Sequence, residues 1–121
     1  MGRTMAEKIL AAHCNKEEVF PGEIIDVDVD LLMMNELSAS LAIEGFETLG
    51  FDKVFDGERI VVIPDHNVPC KDIKAAEMVK LAKNFCEKYG IKHFFSLGRM
   101  GIEHAIIAEK GFVYPGLLFV G

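Results

Sequence analysis

The spacing of apolar and polar residues changes several times along the chain, and each change marks a new predicted element. Thr4 and Glu7 have the spacing of a capping box, which predicts a helix running to about His13. In residues 23–30, apolar residues alternate with aspartates. A period of two is typical of a strand with one face in water, so we expect a half-exposed strand there.

The elements that follow are less sharply marked. Residues 31–37 are mostly apolar, and their pattern does not decide between helix and strand. Ser38 is then expected to cap a helix that stops at Gly50.

The aspartates of residues 23–30 could suggest a metal site. Alternating carboxylates are more often a solvated strand face, and the spacing of a hard-cation loop is missing.

The clearest pattern is a strand, a helix and a second strand in the middle of the chain. Residues 59–63 contain a continuous β-branched run, typical of a strand buried on both faces. After a proline-bracketed loop, Asp72 opens a long amphipathic helix that ends at Gly90. Residues 91–97 form the second strand. A unit of this kind predicts parallel strand pairing.

The end of the chain adds a short helix, residues 102–109, and the start of another buried strand, residues 117–120. The alternation of strands and helices predicts the α/β class, a three-layer α/β/α arrangement with a largely parallel sheet. Because the chain stops within an apolar strand, we interpret residues 1–121 as a single partial domain. Its unfinished sheet edge could pair with a second copy of the chain.

Composition narrows the class of protein. Hydrophobic residues make up 50% of the chain and charged residues 26%, an ordinary globular composition. A formal net charge of -6 argues against a nucleic-acid partner. No apolar run approaches the roughly 20 residues that span a bilayer, and no apolar leader is present, so we expect no membrane partner and a cytoplasmic location. Cys14, Cys70 and Cys86 are widely spaced, and we predict no metal ligands.

Candidate chemistry lies where strands end, because ligands of open parallel sheets bind beyond the carboxyl ends of the strands. Asp65, His66 and Asn67 directly follow the first strand of the central unit. A carboxylate near an imidazole fixes its tautomer and raises its pKa, which suits a proton donor. The alternative is a purely structural hydrogen-bonding loop, since neighbouring side chains can point apart.

The second strand end leads into residues 98–101 (GRMG), directly before a helix. Arg99 and the free N–H groups of a helix start are a weak signal for binding an anion. The segment is not a P-loop, so nucleotide binding has little support. His104 follows one turn later among apolar residues, where a histidine is more often part of the core than catalytic.

Several motifs occur together and in order along the chain. They are residues 4–11 (TMAEKILA), 62–69 (VIPDHNVP), 71–74 (KDIK), 98–104 (GRMGIEH), 109–111 (EKG) and 115–116 (PG). With these motifs the chain resembles the amino-terminal part of the large subunits of 3-isopropylmalate dehydratase and homoaconitase, in the aconitase superfamily. The resemblance runs over almost the whole chain.

The resemblance implies a hydro-lyase of leucine or lysine biosynthesis. Such an enzyme removes water from a hydroxy-di- or tricarboxylic acid and adds it back with the hydroxyl on the neighbouring carbon. It implies a 4Fe-4S cluster in the intact enzyme, acting as a Lewis acid. It also implies a separate small subunit as partner. Cys14, Cys70 and Cys86 do not match the family's cluster ligands, so we expect no cluster on this chain and no activity of the chain alone.

The resemblance also implies roles for individual residues. Asp65, His66 and His104 correspond to catalytic positions, with His66 protonating the leaving hydroxyl, and we expect Asn67 and Arg99 to bind substrate. A substrate-contacting glutamine of aconitases is not carried over, because Ser40 stands at the matching position. A different class of protein stays open: a non-catalytic α/β binding or assembly module that keeps these loops.

Overall fold

The computed structural model describes residues 2–121, which form four helices and four short strands. The helices are α1 (Met5–His13), α2 (Glu36–Thr48), α3 (Ile73–Tyr89) and α4 (Glu103–Glu109). The strands are β1 (Leu31–Met34), β2 (Ile60–Val62), β3 (His93–Phe94) and β4 (Phe119–Val120). They form one parallel sheet in the order β3-β2-β1-β4. The predicted α/β class is confirmed. In the described part of the chain, no helix is long and apolar enough to cross a membrane.

Apolar side chains cover both faces of the sheet. One core cluster, against α2 and α3, consists of Met34, Ala39, Ile43, Ile60, Val62, Ala82, Phe85, Cys86 and Ile91. The other, against α4, consists of Leu31, Met33, Val61, Ile63, Phe95 and Ile107. Successive residues of a strand therefore enter opposite clusters, which is why the central strands read as continuous apolar runs.

The central strand-helix-strand unit forms as the sequence predicts. The Asp72 side chain caps α3 by accepting a hydrogen bond from the Ala75 N–H at 2.8 Å. Gly90 ends the helix with φ 68°, a left-handed conformation that glycine adopts without a steric penalty. β2 and β3 then pair in parallel, with Val61 opposite His93. The second strand is much shorter than the predicted 91–97.

The predicted strand at residues 23–30 is wrong. The segment is irregular and has no partner strand, and its backbone hydrogen bonds are isolated: the Asp28 N–H donates to the His13 carbonyl and the Asp30 N–H to the Leu118 carbonyl. The side chains nevertheless alternate in their exposure, since Val27 is half-buried between exposed aspartates. The period of two therefore reports one-sided burial of an irregular segment and not membership of a sheet.

The ambiguous residues 31–37 divide into β1 and the start of α2. The predicted cap at Ser38 is wrong, because Asn35 caps the helix. Its side-chain oxygen accepts hydrogen bonds from the N–H groups of Leu37 and Ser38, both at 2.9 Å. Ser38 is the third helical residue and returns a hydrogen bond, accepting from the Asn35 N–H at 3.1 Å. Two good capping residues stood three positions apart, and the earlier one starts the helix.

The last strand was predicted to be buried, and this is wrong for the described chain. β4 pairs with β1 alone and forms an edge of the sheet. Phe119 is 38% exposed and Val120 is 45% exposed. An edge strand keeps one row of backbone groups unpaired, so the apolar side chains of β4 lie at an exposed sheet edge in this chain.

A polar link joins the end of α1 to the segment before β1 and to the chain before β4. His13 Nε2 lies 2.6 Å from Asp30 Oδ2, which also accepts the Leu118 N–H at 3.0 Å. The Ile9 carbonyl and then the Asp30 carboxylate raise the pKa of His13. The Leu118 N–H, followed by His13 and Arg59, lowers the pKa of Asp30. His13 therefore has a structural role in this link.

We expect this link to make the fold less stable as the pH rises from about 5.5 to about 8.5. A group whose pKa is raised by folding contributes stability below its unfolded-state pKa and loses it as the pH rises through the folded-state pKa. His13 is such a group, and Asp30 stays ionised throughout this range. Urea unfolding at the two pH values measures the effect. His13→Asn should remove part of the slope, and an identical slope in the variant would contradict the role of the link.

Candidate active site

Three parallel strands bring polar residues to one edge of the sheet. β1 ends at Met34 and is followed at once by Asn35 and Glu36. β2 leads into the loop that holds Asp65 and His66, and the chain after β3 leads into α4. Because the strands are parallel, their carboxyl ends share this edge. The sequence pointed to two of these ends and missed the one after β1.

The Glu36 carboxylate lies beneath the loop after β2. Its side chain is fully buried. Oε2 accepts a hydrogen bond from the Asp65 N–H at 2.9 Å, and Oε1 accepts one from the Asn67 N–H. Burial alone would raise the pKa of Glu36, but backbone N–H groups, that of Asp65 foremost, outweigh burial and lower it. Glu36 is therefore ionised at neutral pH and holds the loop by its backbone.

The Asp65 side chain joins this loop to the start of α4. Asp65 Oδ2 accepts a hydrogen bond from the Glu103 N–H at 2.9 Å. The first N–H groups of a helix have no partner within the helix, so a carboxylate satisfies one of them and interacts favourably with the helix dipole. The sequence predicted an anion near the GRMG segment. The anion at this helix start is the carboxylate of Asp65, which is part of the chain.

Glu103 is the second buried carboxylate of the site and is 6% exposed. Its Oε1 accepts a hydrogen bond from Asn35 Nδ2 at 3.2 Å, whereas Oε2 is buried with no hydrogen-bond partner among the described residues. Side-chain ligand atoms of Asp65, His66 and Glu103 all lie within 4.8 Å of one another. Two carboxylates and an imidazole can exchange protons with a bound molecule, and they are also ligand types for a divalent metal.

The two histidines of the site are both exposed. His66 belongs to the cluster just described. His104 is 73% exposed at its side chain, and its Nε2 lies 3.9 Å from Glu103 Oε1. The apolar neighbours alone favoured a core position for His104, which is wrong, and the catalytic role implied by the resemblance stays a prediction. Its apolar neighbours in the sequence lie on other sides of a short helix, which leaves the imidazole free to meet a ligand.

Asp65 and His66 do not form the hydrogen-bonded pair that their adjacency suggested. Among residues 2–121, no ion pair joins the two side chains, because the Asp65 carboxylate is turned to the Glu103 N–H. The exposed His66 imidazole lies within 4.8 Å of this carboxylate but forms no hydrogen bond with it. Asp65 acts on the site by joining its two halves.

The predicted substrate-binding residues lie on the two loops. Asn67 is half-buried, and its N–H is held by Glu36 while its side chain has no hydrogen bond to a described residue. Arg99 is exposed, with its guanidinium carbon 5.3 Å from the centre of the Phe95 ring. A stacked guanidinium keeps all its N–H donors for a carboxylate.

The cysteines of the described chain do not form a cluster site. Cys14 is partly buried, Cys70 is exposed and Cys86 lies in the core, and the group of potential ligands at the strand ends contains none of them. Burial raises the pKa of the Cys86 thiol to about 11, so it is protonated at neutral pH and unsuited to bind iron. A 4Fe-4S cluster does not fit these thiols.

Residues that sequence reasoning missed are Asn35, Glu36 and Glu103. The signal for the first two was a polar pair directly after four apolar residues, at what proved to be a strand end. Ser40, which stands at the position of the glutamine contact that was not carried over, lies within α2 and donates its hydroxyl to the Glu36 carbonyl at 2.7 Å. Glu103 lies in the GIEH motif, in which His104 was the predicted site residue.

Comparison with known proteins shows the family of the chain. The model of the aconitase family (aconitate hydratase) matches residues 7–121. The chain belongs to the aconitase family. It is 56% identical over 121 residues to the 3-isopropylmalate dehydratase large subunit of Thermodesulfovibrio yellowstonii, 54% to that of Aquifex aeolicus and 50% to that of Moorella thermoacetica. In each case the match covers the whole chain.

The match covers a limited part of these relatives. The chain spans 29% of the length of the Thermodesulfovibrio and Moorella subunits and 28% of the Aquifex subunit. The predicted resemblance to the amino-terminal part of the 3-isopropylmalate dehydratase large subunit is confirmed. The family is one of enzymes, whereas the individual roles of Asp65, His66 and His104 stay predictions.

Proposed function

We propose that residues 1–121 supply the proton-donor side of the active site of a hydro-lyase that acts on a hydroxy-dicarboxylic acid of the 3-isopropylmalate type. The observation that carries this proposal is the link between the loop after β2 and the start of α4. The Glu103 N–H donates to Asp65 across 38 positions of sequence, and His66 lies in the same group of ligand atoms. Two motifs that are far apart in sequence thus form one site.

The chemistry is a dehydration followed by hydration on the other face or carbon. A base takes a proton from one carbon, the bond from the neighbouring carbon to its hydroxyl breaks as that oxygen is protonated, and a double bond forms as water departs. Hydroxide is a poor leaving group, so an acid must protonate it as the bond breaks. His66 is exposed at the strand ends and is the group we assign to this step. In the reverse reaction His66 takes the proton back from the water whose oxygen bonds to carbon.

The remaining residues orient the reactants. Asp65 joins the loop to α4, and His104 faces solvent one residue beyond Glu103, where it can meet a substrate carboxylate or pass a proton. Asn67 and Arg99 offer an amide and a guanidinium to the carboxylates of the acid. Cluster ligands, the small subunit and the groups that complete the site come from outside the described residues. We place the enzyme in leucine biosynthesis in the cytoplasm, with homocitrate as the second candidate substrate.

A chimera tests this proposal. Residues 1–121 replace the matching segment of the Thermodesulfovibrio yellowstonii large subunit, which is produced with its small subunit. Since the two sequences are 56% identical, the replacement should keep the core. We expect the chimera to convert 3-isopropylmalate to its unsaturated acid, followed by ultraviolet absorbance, at a rate within about tenfold of the parent.

The purified 121-residue chain provides the contrast. We expect it to be folded and inactive, because it lacks thiols that suit a cluster. A folded chimera with bound cluster and no turnover of 3-isopropylmalate or homocitrate would overturn the proposed function. That result would favour a non-catalytic module.

A further inference from the structure

Glu36 contacts the active-site loop in an unusual way: its two carboxylate oxygens bind the backbone on either side of one residue. Oε2 accepts the N–H of Asp65, and Oε1 accepts the N–H of Asn67. His66 lies between them. We propose that Glu36 is a positioning residue whose buried carboxylate sets the place and direction of the His66 imidazole. This inference rests on the proposed function of His66.

Glu36 has a rigid base for this task. It is the first residue of α2, directly after the Asn35 cap, and the cap follows β1. β1 is one of the two central strands and pairs with β2, which leads into the His66 loop. The two hydrogen bonds from Glu36 to the loop, called the Glu36 clamp below, therefore attach the loop to the sheet at two neighbouring strands. A functional group held by regular elements keeps its geometry better than one held by a loop alone.

Only a carboxylate satisfies both backbone donors. Each of its oxygens accepts hydrogen bonds, and bonds to an ionised acceptor are shorter and stronger than neutral ones. A glutamine at position 36 has nearly the same shape but offers one oxygen and one NH₂ group. Its NH₂ would face a backbone N–H, so one side of the loop would lose its anchor and meet a second donor. Glu36→Gln thus releases one flank of His66 at almost constant volume.

The burial of Glu36 separates it from an ordinary surface carboxylate. The side chain is 0% exposed, so water cannot replace a lost bond to the loop. A buried carboxylate costs free energy unless it is fully hydrogen-bonded, and here the loop amides meet that need. Isoleucine or leucine would pack there at lower cost. The retained charge is explained by the loop it holds.

The test uses the active chimera with Glu36→Gln, and Glu44→Gln as the matched control. Glu44 lies on the same helix but is exposed. We expect Glu36→Gln to lower kcat by roughly 10- to 100-fold while KM changes less than about threefold, because misplacement of a proton donor slows the chemical step more than it weakens binding. Glu44→Gln should leave both constants unchanged. Loss of folded protein alone would also lower the apparent kcat at constant KM, so kcat is calculated per folded enzyme and is read together with amide exchange at the loop.

Amide hydrogen exchange in the 121-residue chain tests whether the Glu36 clamp protects the Asp65 and Asn67 amides. In Glu36→Gln, we expect the Asp65 or the Asn67 amide to exchange faster by about tenfold or more, with the helix amides of α3 unchanged. If Glu36→Gln does not fold, Glu36→Asp replaces it. Aspartate keeps both oxygens on a shorter side chain, so a smaller fall in kcat is expected with the same constant KM.

The outcomes separate the two proposals. Unchanged kcat in Glu36→Gln of an active chimera would overturn the positioning role and leave the proposed function standing. Equal losses of kcat and of folded protein, with exchange at Asp65 and Asn67 unaltered, would also overturn it. A wild-type chimera without turnover would overturn the proposed function, and the positioning role with it.

Discussion

Replacing His66 with glutamine is expected to lower kcat of the chimera by about 10² to 10⁴-fold. The loop that holds His66 is anchored by Glu36, and its imidazole is exposed at the strand ends beside Asp65 and Glu103. Glutamine keeps the polarity and much of the volume but cannot donate a proton at neutral pH. Because the leaving hydroxyl then departs unprotonated, the loss falls on the chemical step.

Steady-state kinetics with 3-isopropylmalate measures this effect, and His93→Gln is the control. His93 lies in β3 with its Nε2 3.6 Å from Glu58 Oε2, so it has no part in the proposed chemistry. We expect its kcat to stay within about threefold of the wild-type value. A His66→Gln chimera that keeps full kcat would show that His66 is not the acid.

Replacing Ile63 with alanine is expected to lower the free energy of unfolding by about 2–5 kcal/mol. Ile63 is completely buried beside Val61 and Ile107, and its backbone N–H donates to the Met34 carbonyl at 2.8 Å. Truncation leaves a cavity between the sheet and α4, at the point where β2 enters the active-site loop. Domains of this size are stable by only about 5–15 kcal/mol, so the loss is a large part of the whole.

Urea unfolding of the 121-residue chain, followed by far-ultraviolet circular dichroism, measures this loss. Ile24→Ala is a matched control, since Ile24 is 97% exposed and has the same side chain. Its effect should stay within about 0.5 kcal/mol. Equal effects of the two substitutions would mean that Ile63 is not in the core that the structure shows.

Local signals explain what could be predicted of the fold. α3 was predicted well because Asp72 and Gly90 are a cap and a stop that act within a few residues of themselves. β2 was predicted because a strand covered on both faces has to be apolar throughout. The strand predicted at residues 23–30 was wrong because alternating burial requires only that one side of the segment is covered. A strand also needs a neighbouring strand, and distant segments decide which strands become neighbours.

The same distinction holds for the site. Asp65 and His66 were predictable because a strand end is visible in the sequence, and the resemblance reinforced them. Glu36 was not, because its role consists of hydrogen bonds to backbone 29 and 31 positions away. For His104 the apolar neighbours favoured a core position although the resemblance implied a catalytic one, because a seven-residue helix shows too little of its period to tell one face from another.

The direct link between the loop after β2 and the start of α4 is the hydrogen bond from the Glu103 N–H to Asp65 Oδ2. Glu103 is the first residue of α4, and its amide has no acceptor within the helix, so its protection from exchange reports Asp65 directly. Amide hydrogen exchange of the chain and of Asp65→Ala is the most direct test. The Ile106 amide, bonded to the Ile102 carbonyl at 2.9 Å, is the internal reference.

We expect the Glu103 amide to be protected in the wild-type chain and to exchange at least about tenfold faster in Asp65→Ala, with Ile106 unchanged. This would establish that the loop after β2 and the start of α4 form one site. A Glu103 amide that exchanges freely in the wild-type chain, or equally in both proteins, would contradict it.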